Sequence, residues 1–488
     1  MPRPIRVVPG DAHSRTVTTN AAVLRRRLMV AGCCCAVGAF ACRAPAVQST
    51  DAAVAGRRPA PGSSAAVPAL PARIVDADPS NYLALLRTLE PGDTLVLAPG
   101  PYDNPDAPPG LPIFDLHGTA AAPITITGPE TGPRPVFVGR ATHNTVRIAN
   151  ASHIVVRNLD IDGRNLGGDG VNGQGPSHHI TLENLGIRGI GPVQGVVGIS
   201  TNRAPAWYWT IRGCAIVGAG TGMYLGNSDG RNPFVAGIIE RNLVRDTLGY
   251  NVQIKHQVAW PELPGLPAGR TVTIIRDNVF SKAANGSTGP QARPNILVGD
   301  VPPNGRGSAN GYEIYRNHFS QNPTEALFQG EGNVALYANV FVNDAGAAIN
   351  VQPHHGRVRD ILVLGNTIVA SGHGISIRGG DPAHPQRVVG NAVFAALPIA
   401  GGTATANVTG SHAEAARHLV DPIATAAARD FHPRPGVLNG RALDVRDYVG
   451  LADRDRDFDG RARDWTIRGA LGAVVGRAAP ASTTEPKP

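Results

Sequence analysis

The sequence predicts an all-β protein folded as a right-handed parallel β-helix, a solenoid with an N-terminal capping helix. Three observations lead to this prediction: many turn-forming residues, a strand phrase that recurs around Asn, and helical spacing in only one early segment. The chain of 488 residues contains 59 Gly and 42 Pro, too many for a helical bundle, and it lacks the Gly-X-Y period of collagen. Its 42% hydrophobic residues are enough for a large core.

Residues 1–42 are typical of an export signal. Arg25, Arg26 and Arg27 precede an apolar run, residues 28–41, that has the length of a signal-peptide core and is too short to span a bilayer. An ordinary signal and a twin-arginine signal both fit this order. We therefore expect an exported bacterial protein that is periplasmic, anchored to the outer membrane or extracellular.

Cysteine usage and charge agree with this interpretation. Four of the five cysteines lie in the leader, so Cys214 alone remains in the body and no disulfide framework can form there. Two outcomes stay open at the end of the leader: lipid attachment at Cys42, or ordinary cleavage near Ala41. The leader also carries six arginines against Asp11, so most of the formal charge of +8 belongs to it and we expect no nucleic-acid partner.

The domain limits follow from changes in composition. Residues 43–74, rich in Ala, Pro, Ser and Gly, are predicted to form a flexible linker. Residues 75–445 are predicted to form the solenoid, and residues 446–488 a C-terminal closing segment and tail. The helical spacing of leucines between Leu83 and Leu89 predicts the capping helix, after which the chain continues as strands.

From about residue 123 the chain repeats one phrase: a short β-branched strand, an Asn, another short apolar strand, and then Gly and polar residues. The central residues of the phrase are Asn158, Asn184, Gly213, Asn242, Asn278, Asn317, Asn339, Asn366 and Asn391. Most intervals are 22 to 29 residues long, and two are 36 and 39, which is typical of β-solenoid coils. Stacked Asn side chains hydrogen-bond along a solenoid axis, so we interpret Asn158 to Asn391 as one structural ladder.

The same residues carry a resemblance to a known group. The opening phrase at 91–102, the segment at 122–128 and the Asn-centred coils resemble the right-handed parallel β-helix polysaccharide lyases of the pectate-lyase-like superfamily. The opening phrase, Pro-Gly-Asp-Thr-Leu-Val-Leu-Ala-Pro-Gly-Pro-Tyr, is most similar to the chondroitinase B and alginate lyase family, and the resemblance covers residues 75–410. It implies elimination chemistry on an acidic polysaccharide, done in that family by a Lys base, an Arg acid and a calcium ion held by Asn and Glu.

The outward face of the second strand in each coil is the predicted site, because alternate residues there point onto the long groove of such solenoids. Alignment of these strands puts Met223, Val252, Ile296, Leu327, Ile349 and Ile375 in one buried column. The fifth column contains Gly226, Lys255, Gly299, Gly330, Gln352 and Arg378, and the sixth contains Asn227, His256, Asp300, Glu331, Pro353 and Gly379. Glycines around Lys255 leave room for a sugar chain, and two long excursions, 257–270 and 283–310, are expected to wall the groove.

Lys255 is the leading candidate for catalysis. Only Lys255, Lys282 and Lys487 are lysines among the 45 Lys and Arg residues, and lysine, unlike arginine, can lose its proton when burial lowers its pKa. A lyase needs a base, a group that neutralises the uronate carboxylate, and an acid for the leaving oxygen. We assign Lys255 or His256 as the base, and Arg293 as the neutralising group or the acid. The order of Lys255 and Arg293 resembles that of the family's Lys and Arg.

The other polar residues of the groove are predicted to bind ligands. We assign substrate contacts to Gln253, Gln329, Gln352, His354 and Arg378. We expect Asp300 and Glu331 to hold a metal ion, Ca²⁺, and structural salt bridges to arginines are the alternative.

These assignments predict a secreted, monomeric polysaccharide lyase that cleaves a uronate-containing glycan by β-elimination. A glycoside hydrolase is one alternative, with Asp300 and Glu331 as a carboxylate pair about 5 to 5.5 Å apart. A surface protein that binds glycan without catalysis is another. The acidic run from Asp453 to Asp459 begins like a calcium loop, but Thr466 stands where a bidentate Glu is needed, so we assign it a structural role.

Overall fold

The computed structural model describes residues 72–425 and 428–472, and it confirms the predicted all-β, right-handed parallel β-helix. The export signal at 1–42, the linker up to residue 71 and the tail from residue 473 lie outside the described residues. The coils contribute short strands to three parallel sheets, named sheets 1, 2 and 3 in chain order within a coil; among the described residues, the first coil has a strand only in sheet 1, and the last has none in sheet 3. Their strands stack about 4.8 Å apart along the solenoid axis.

Sheet 1 contains the strand that precedes the Asn-centred bend of each coil. Its strands are Ile74–Ala77, Thr94–Leu97, Ile124–Thr127, Ala151–Arg157, Ser177–Glu183, Thr210–Arg212, Ile238–Glu240, Val272–Arg276, Gly311–Tyr315, Gly332–Tyr337, Val358–Leu364, Gln386–Val389 and Thr403–Thr405. The short strand Ala206–Trp207 also pairs with Ser177–Glu183, and the short strand Phe234–Val235 pairs with Ala206–Trp207.

Sheet 2 follows the bend. Its strands are Gly100–Tyr102, Pro135–Val138, Asp160–Asp162, Gly186–Arg188, Ala215–Val217, Leu243–Arg245, Val279–Ser281, His318–Ser320, Val340–Asn343, the first parts of Thr367–Ile377 and Ala392–Ala400, and Val408–Gly410.

Sheet 3 carries the groove face. Its strands are Leu111–Phe114, Val146–Ala149, Val171–Gly173, Val197–Ser200, Thr221–Leu225, Val252–Ile254, Ile296–Val298, Phe328–Gly330, Ile349–Val351, and the second parts of Thr367–Ile377 and Ala392–Ala400.

Few residues of the described chain are helical. The α-helices are Tyr82–Leu86 and Ala415–His418, both too short to cross a bilayer, and the 3₁₀ turns are Gly289–Gln291, His412–Glu414 and Arg446–Tyr448. The first helix contacts the first coils, where Tyr82 packs edge-on against Tyr102 and Phe137 with ring centres 5.1 and 5.8 Å away. It thereby covers apolar side chains that the first coil would otherwise expose.

The interior is built from strand residues that alternate between the core and the outside. In sheet 3, Val252, Ile254, Ile296 and Ile349 are fully buried in one continuous apolar cluster. Burial of each such side chain contributes about 1.5–3 kcal/mol, and the side chain finds its partners on the coils above and below. Register between coils is therefore fixed by the core, and it determines which residues face outward.

The Asn ladder is present, but its members differ from the prediction. The ladder position is occupied by Asn242, Asn278, Asn317, Asn339, Asn366, Asn391 and Asn407, and each Nδ2 donates to Oδ1 of the next at 2.9–3.0 Å. All of these except the half-buried Asn407 are buried. The ladder therefore extends one coil further than predicted and ties the last coils together.

At its beginning the ladder is shorter than predicted. Asn158 and Asn184 have left-handed backbones (φ 56° and 53°) and lie one position earlier, so that Leu159 and Leu185 stand at the ladder position. Gly213 likewise occupies the left-handed position of its coil. Asn suits both positions, since it tolerates left-handed backbone and its amide can stack, and the sequence alone does not distinguish the two uses.

The residues after Gly410 leave the parallel sheets and run along the outside of the last coils. Leu419, Phe431 and Ile467 pack on outward residues of sheet 2, and Tyr448 packs on those of sheet 1. The predicted domain limits at 445 and 446 stay predictions.

The acidic run in this segment makes separate contacts. Asp453 binds Arg276 and Arg316 at 3.2 and 3.1 Å, Asp457 accepts from the backbone of Arg461, and Asp459 binds His432 at 2.9 Å. These carboxylates hold the segment to the coils and to itself, so their role is structural.

The ladder generates a prediction about stability. Asn317→Ala removes hydrogen bonds to Ile275 O and Asn339 Oδ1, and it takes the Oδ1 acceptor away from the buried backbone N–H of Asn278 and from one hydrogen of its Nδ2. We expect the free energy of unfolding, measured by urea denaturation, to fall by about 3 kcal/mol. Asn104→Ala, at an exposed turn, is the control and should cost less than about 0.5 kcal/mol. Equal losses in the two variants would mean that the ladder does not stabilise the coils.

Candidate functional site

The candidate site lies on the outward face of sheet 3. Val252 and Ile254 point into the core, so Gln253 and Lys255 point outward. Backbone hydrogen bonds of 2.9 Å, from Lys255 N–H to Leu225 O and from Gly299 N–H to Ile254 O, continue the parallel pairing past the end of the strand. Lys255 is therefore held by the coils on both sides.

The register of a neighbouring coil differs from the predicted alignment. Ile296 pairs with Phe328, whereas the alignment placed Leu327 there. Both residues are apolar and fully buried, so the hydrophobic pattern does not distinguish them. The shift of one residue moves Glu331 into the column of Lys255 and turns Gly330 toward the core, where a side chain would strike the Phe328 ring.

The corrected column changes the surroundings of Lys255. It contains Gly226, Lys255, Gly299, Glu331, Gln352 and Arg378. A Cβ atom at Gly299 would lie 2.3 Å from the backbone nitrogen of His256, so glycine is needed there for the coils to approach. Glycine at position 299 is therefore required by the packing of the coils. Its lack of a side chain also leaves the outward position next to Lys255 empty.

Lys255 is a largely buried amine. It is 8% exposed, and its Nζ lies 5.8 Å from the centre of the Tyr224 ring. Among the described residues, Nζ has no hydrogen-bond acceptor or ion-pair partner. Burial lowers the pKa of Lys255, and the Glu331 carboxylate acts in the opposite direction. An unpaired amine that burial makes easier to deprotonate is suited to general-base chemistry.

Three histidines lie next to Lys255 at the end of the groove. The ring of His256 stacks on His355 with centres 4.4 Å apart, and His354 meets His355 edge-on at 4.3 Å. Burial lowers the pKa of His256 and of His354, and nearby groups that include His355 and Lys255 lower both further. These two imidazoles are therefore mainly neutral near pH 7 and can accept a proton or donate one.

Glu331 holds the turn that presents these histidines. It is 1% exposed, and its Oε2 accepts hydrogen bonds from the backbone N–H groups of His354 (2.6 Å), His355 (3.0 Å) and Gly356 (2.9 Å). Its Oε1 accepts from the N–H groups of Asp300 and His355, both at 3.2 Å. Both oxygens of this carboxylate therefore accept hydrogen bonds from the backbone.

Asp300 is engaged in the same way. It is 6% exposed and pairs with the buried Arg359, whose Nε lies 3.0 Å from Oδ1 and whose Nη2 lies 3.3 Å from Oδ2. Backbone N–H groups of Val301 and Arg357 donate to the same two oxygens at 2.8 and 2.9 Å. Burial raises the pKa of Asp300, and these donors oppose that effect.

Every carboxylate oxygen of Asp300 and Glu331 therefore already accepts at least one backbone hydrogen bond, and Asp300 is also paired with Arg359. A cation would have to displace these donors, and Lys255 has no such contacts in the described structure. In place of the predicted metal site, we assign this pair a structural role, which was the alternative weighed from the sequence.

Arg293 is fixed at the other end of the groove, on the loop that enters strand Ile296–Val298. Its backbone carbonyl accepts hydrogen bonds from Lys282 Nζ (2.8 Å) and Asn322 Nδ2 (2.9 Å). Its Nη1 donates to carbonyls of its own loop, which leaves Nε and Nη2 without an acceptor in the described structure. Arg293 and Lys255 each lie close enough to His354 to add to the lowering of its pKa by burial.

Lys282 supports the loop of Arg293 from below. Its side chain is 1% exposed, and burial lowers the pKa of Lys282 to about 8. Its amine is directed to a backbone carbonyl inside the protein, so Lys282 is a positioning residue. The structure therefore brings two of the three lysines of the chain into one region, in different roles.

Sequence reasoning missed two tyrosines at this site. Tyr224 pairs with Gln253 across the coils and lies beneath Lys255. Burial raises the pKa of Tyr250, and Arg293 opposes this rise, which places the phenol near the guanidinium. Neither tyrosine stands in a motif, so only the coil register reveals them.

A serine turn also lies beside Tyr224. Residues 226–230 have the spacing G-x-S-x-G, and the Ser228 hydroxyl lies 3.0 Å from the Tyr224 hydroxyl. This turn joins two strands and no helix follows it, so it lacks the strand-to-helix setting of a hydrolase nucleophile.

The predicted substrate contacts differ in accessibility. Gln253 is only 3% exposed, so it lies under the surface and is not available for a direct substrate contact. Gln329 is half-buried, and His354 belongs to the histidine cluster. Arg378 is exposed and donates to the half-buried Gln352, so these two side chains form one hydrogen-bonded pair on the outer face.

The long excursions lie on different sides of the groove. Residues 257–270 pack with the later part of the second excursion, where Arg306 donates to Pro267 O at 2.9 Å and Trp260 covers Gly307. The earlier part, around 283–294, reaches toward preceding coils, and Gln194 Nε2 donates to Gln291 O at 2.6 Å. Only this earlier part brings Arg293 to the groove.

A cavity of about 570 Å³ lies elsewhere, between sheet 1 and the C-terminal segment. Its charged lining is already paired: Arg359 with Asp300, His384 with Asp360 at 2.9 Å, and Arg387 over the Tyr448 ring. We therefore place the chemistry at Lys255, on the open face of sheet 3.

Comparison with known proteins gives likenesses of fold. No family model and no curated protein matches the chain. An alginate lyase from Paenibacillus sp. str. FPU-7 matches over 63% of this chain and 96% of its own, with 19% identity and a TM-score of 0.43. The GH136 lacto-N-biosidase from Eubacterium ramulus matches over 69% and 68%, with 14% identity and a TM-score of 0.44. Pectate lyase Pel9A matches over 82% and 89%, with 13% identity and a TM-score of 0.37.

The role given to Glu331 predicts the effect of one isosteric change. In Glu331→Gln an amide NH₂ must face backbone N–H donors, so we expect the free energy of unfolding to fall by about 2 kcal/mol. Glu325→Gln, on the same coil, is the matched control and should change stability little, because the Glu325 side chain makes no hydrogen bond within the described residues. We expect Ca²⁺ to leave the melting temperature unchanged. If Ca²⁺ raises the melting temperature of the wild type but not that of Glu331→Gln, the result would support the metal site instead.

Proposed function

We propose that the protein is a polysaccharide lyase that cleaves a uronate-containing glycan by β-elimination in the groove on sheet 3. The observation that carries this proposal is the amine of Lys255, which is largely buried, has no acidic partner in the described residues and has a pKa lowered by burial. An amine that burial makes easier to deprotonate is the kind of group that proton abstraction beside a carboxylate requires.

The remaining groups suit the other two tasks of an elimination. Arg293 has unused guanidinium donors, which can neutralise the uronate carboxylate and so acidify the adjacent carbon. Tyr250 keeps its proton because burial raises its pKa, which suits a proton donor to the leaving oxygen. In the proposed step Lys255 Nζ takes the proton from the carbon beside the carboxylate. The electron pair forms a ring double bond, the bond to the glycosidic oxygen breaks, and that oxygen takes the Tyr250 proton.

The charge of the groove favours an acidic substrate. Arg293 and Arg378 supply positive charge on this face, while Asp300 and Glu331 are shielded by their own donors. A polyuronate would therefore meet cations without a competing free carboxylate from this pair. An exported enzyme would encounter such glycans outside the cytoplasm.

Hydrolysis has less support at this site. The carboxylate pair that the hydrolase alternative needs, Asp300 and Glu331, is buried and bound to backbone N–H groups and to Arg359. A retaining or inverting hydrolase requires both carboxyl groups to face the sugar.

The test is product analysis on a panel of alginate, pectate, glucuronan, chondroitin, dermatan and neutral glycans. We expect reducing ends together with ultraviolet absorbance of the new double bond on at least one uronate polymer. Lys255→Met should lower the rate by at least about 10²-fold, because it removes the base. Lys255→Arg is the matched control for charge, since arginine keeps the cation but does not lose its proton.

The outcomes separate the candidate functions. Loss of activity in both Lys255 variants supports Lys255 as the base, while an active Lys255→Arg would mean that this residue only binds the carboxylate. Reducing ends without absorbance would contradict elimination and indicate hydrolysis. Binding without turnover on any glycan would indicate a glycan-binding protein.

A further inference from the structure

A second group of histidines lies outside the groove, at the corner where the coils enter sheet 1. His153 belongs to the strand Ala151–Arg157, and His178 and His179 belong to Ser177–Glu183 in the next coil. The two strands pair in parallel, with Ser152 opposite His178. Stacking of the coils thus brings the three imidazoles to one place on the surface.

An unusual backbone brings the neighbours His178 and His179 together. In a regular strand, successive side chains point to opposite faces. His153 and His179 both have left-handed backbones, with φ of 55° and 53°, and this interrupts the alternation at the same place in each coil. As a result, His178 Nδ1 lies 2.8 Å from His179 Nδ1, and the ring of His153 stacks on that of His179 at 4.3 Å.

The spacing of the nitrogen atoms fits one metal ion. One ring nitrogen from each histidine lies within 4.8 Å of the other two. Two nitrogens bound to Zn²⁺ at about 2.0–2.1 Å are about 3.3 Å apart in tetrahedral geometry, so small side-chain rotations are sufficient. His153 and His178 are half-buried and His179 is exposed, which leaves a path from solvent.

We propose that His153, His178 and His179 form a binding site for a divalent transition-metal ion of the zinc class. Imidazole nitrogen suits Zn²⁺, Cu²⁺ and Ni²⁺, whereas Ca²⁺ and Mg²⁺ require oxygen ligands. Three protein ligands leave a fourth position for water. The site is distinct from the groove, because Lys255 directly follows a strand of sheet 3 in a later coil.

Two aromatic residues hold the imidazoles in place. His178 stacks on the buried Trp207 with ring centres 4.9 Å apart, and His179 lies 4.7 Å from the Tyr208 ring. Such packing restricts the rotation of the ligands before the ion arrives, which favours binding. It also places an indole beside the metal, where a paramagnetic ion quenches its fluorescence.

The test is calorimetric titration of the chelator-treated full chain with Zn²⁺. We expect one ion per chain, and at least about tenfold weaker binding in His153→Ala and in His179→Ala, because each removes a ligand. His143→Ala, an exposed histidine of the same part of the chain, is the matched control and should bind as wild type does. Circular dichroism of each variant verifies that the coils are intact.

A second measurement locates the ion. Cu²⁺ should quench tryptophan fluorescence in wild type, and His179→Ala should remove most of that quenching while His143→Ala keeps it. The proposal is overturned if wild type binds no Zn²⁺, if His179→Ala binds as tightly as wild type, or if binding is lost in His355→Ala instead, which would assign the ion to the groove.

Discussion

The register between stacked coils is the constraint on which the rest of the structure depends. Apolar residues of sheet 3, such as Val252 and Ile296, face the core together. Asn amides beside sheet 2 hydrogen-bond from one coil to the next. Because neighbouring strands are only about 4.8 Å apart, one residue of slip would turn every outward side chain inward. The site follows from this register, since it sets Lys255 between Gly226 and Gly299 and puts Glu331 in the same column.

Charge is distributed unevenly around the groove for a physical reason. Buried carboxylates need donors, and Asp300 and Glu331 obtain theirs from backbone N–H groups and Arg359. These contacts fix the turn of His354 and His355 and leave few acids free to pair with Lys255. The amine consequently remains unpaired in the described residues, and burial favours its neutral form. Structural use of the carboxylates thus leaves the lysine free for chemistry.

The fold could be predicted because short apolar strands and Asn-centred bends recur in the sequence once per coil. Lys255, His256, His354 and Arg293 could be proposed because unusual residue types stood at outward positions. The register at Leu327 and Phe328 could not be predicted, since both are apolar and both are buried. A structural role for Asp300 and Glu331 was one of two sequence-based alternatives, but their backbone donors could not be predicted, because N–H groups of residues 354–357 do not appear in a side-chain pattern. Tyr250 and the histidines at 153, 178 and 179 depend on loop packing and left-handed backbone, which a strand pattern does not encode.

The most direct test of the central claim is the titration of Lys255 itself. The chain has three lysines, so ¹⁵N labelling of lysine side chains gives few signals, and the one lost in Lys255→Met identifies Lys255. We predict a pKa of Lys255 below the ordinary value of 10.5 and a change in the Lys255 signal when a polyuronate binds. A Lys255 that titrates at the ordinary value and responds to no uronate would contradict this claim.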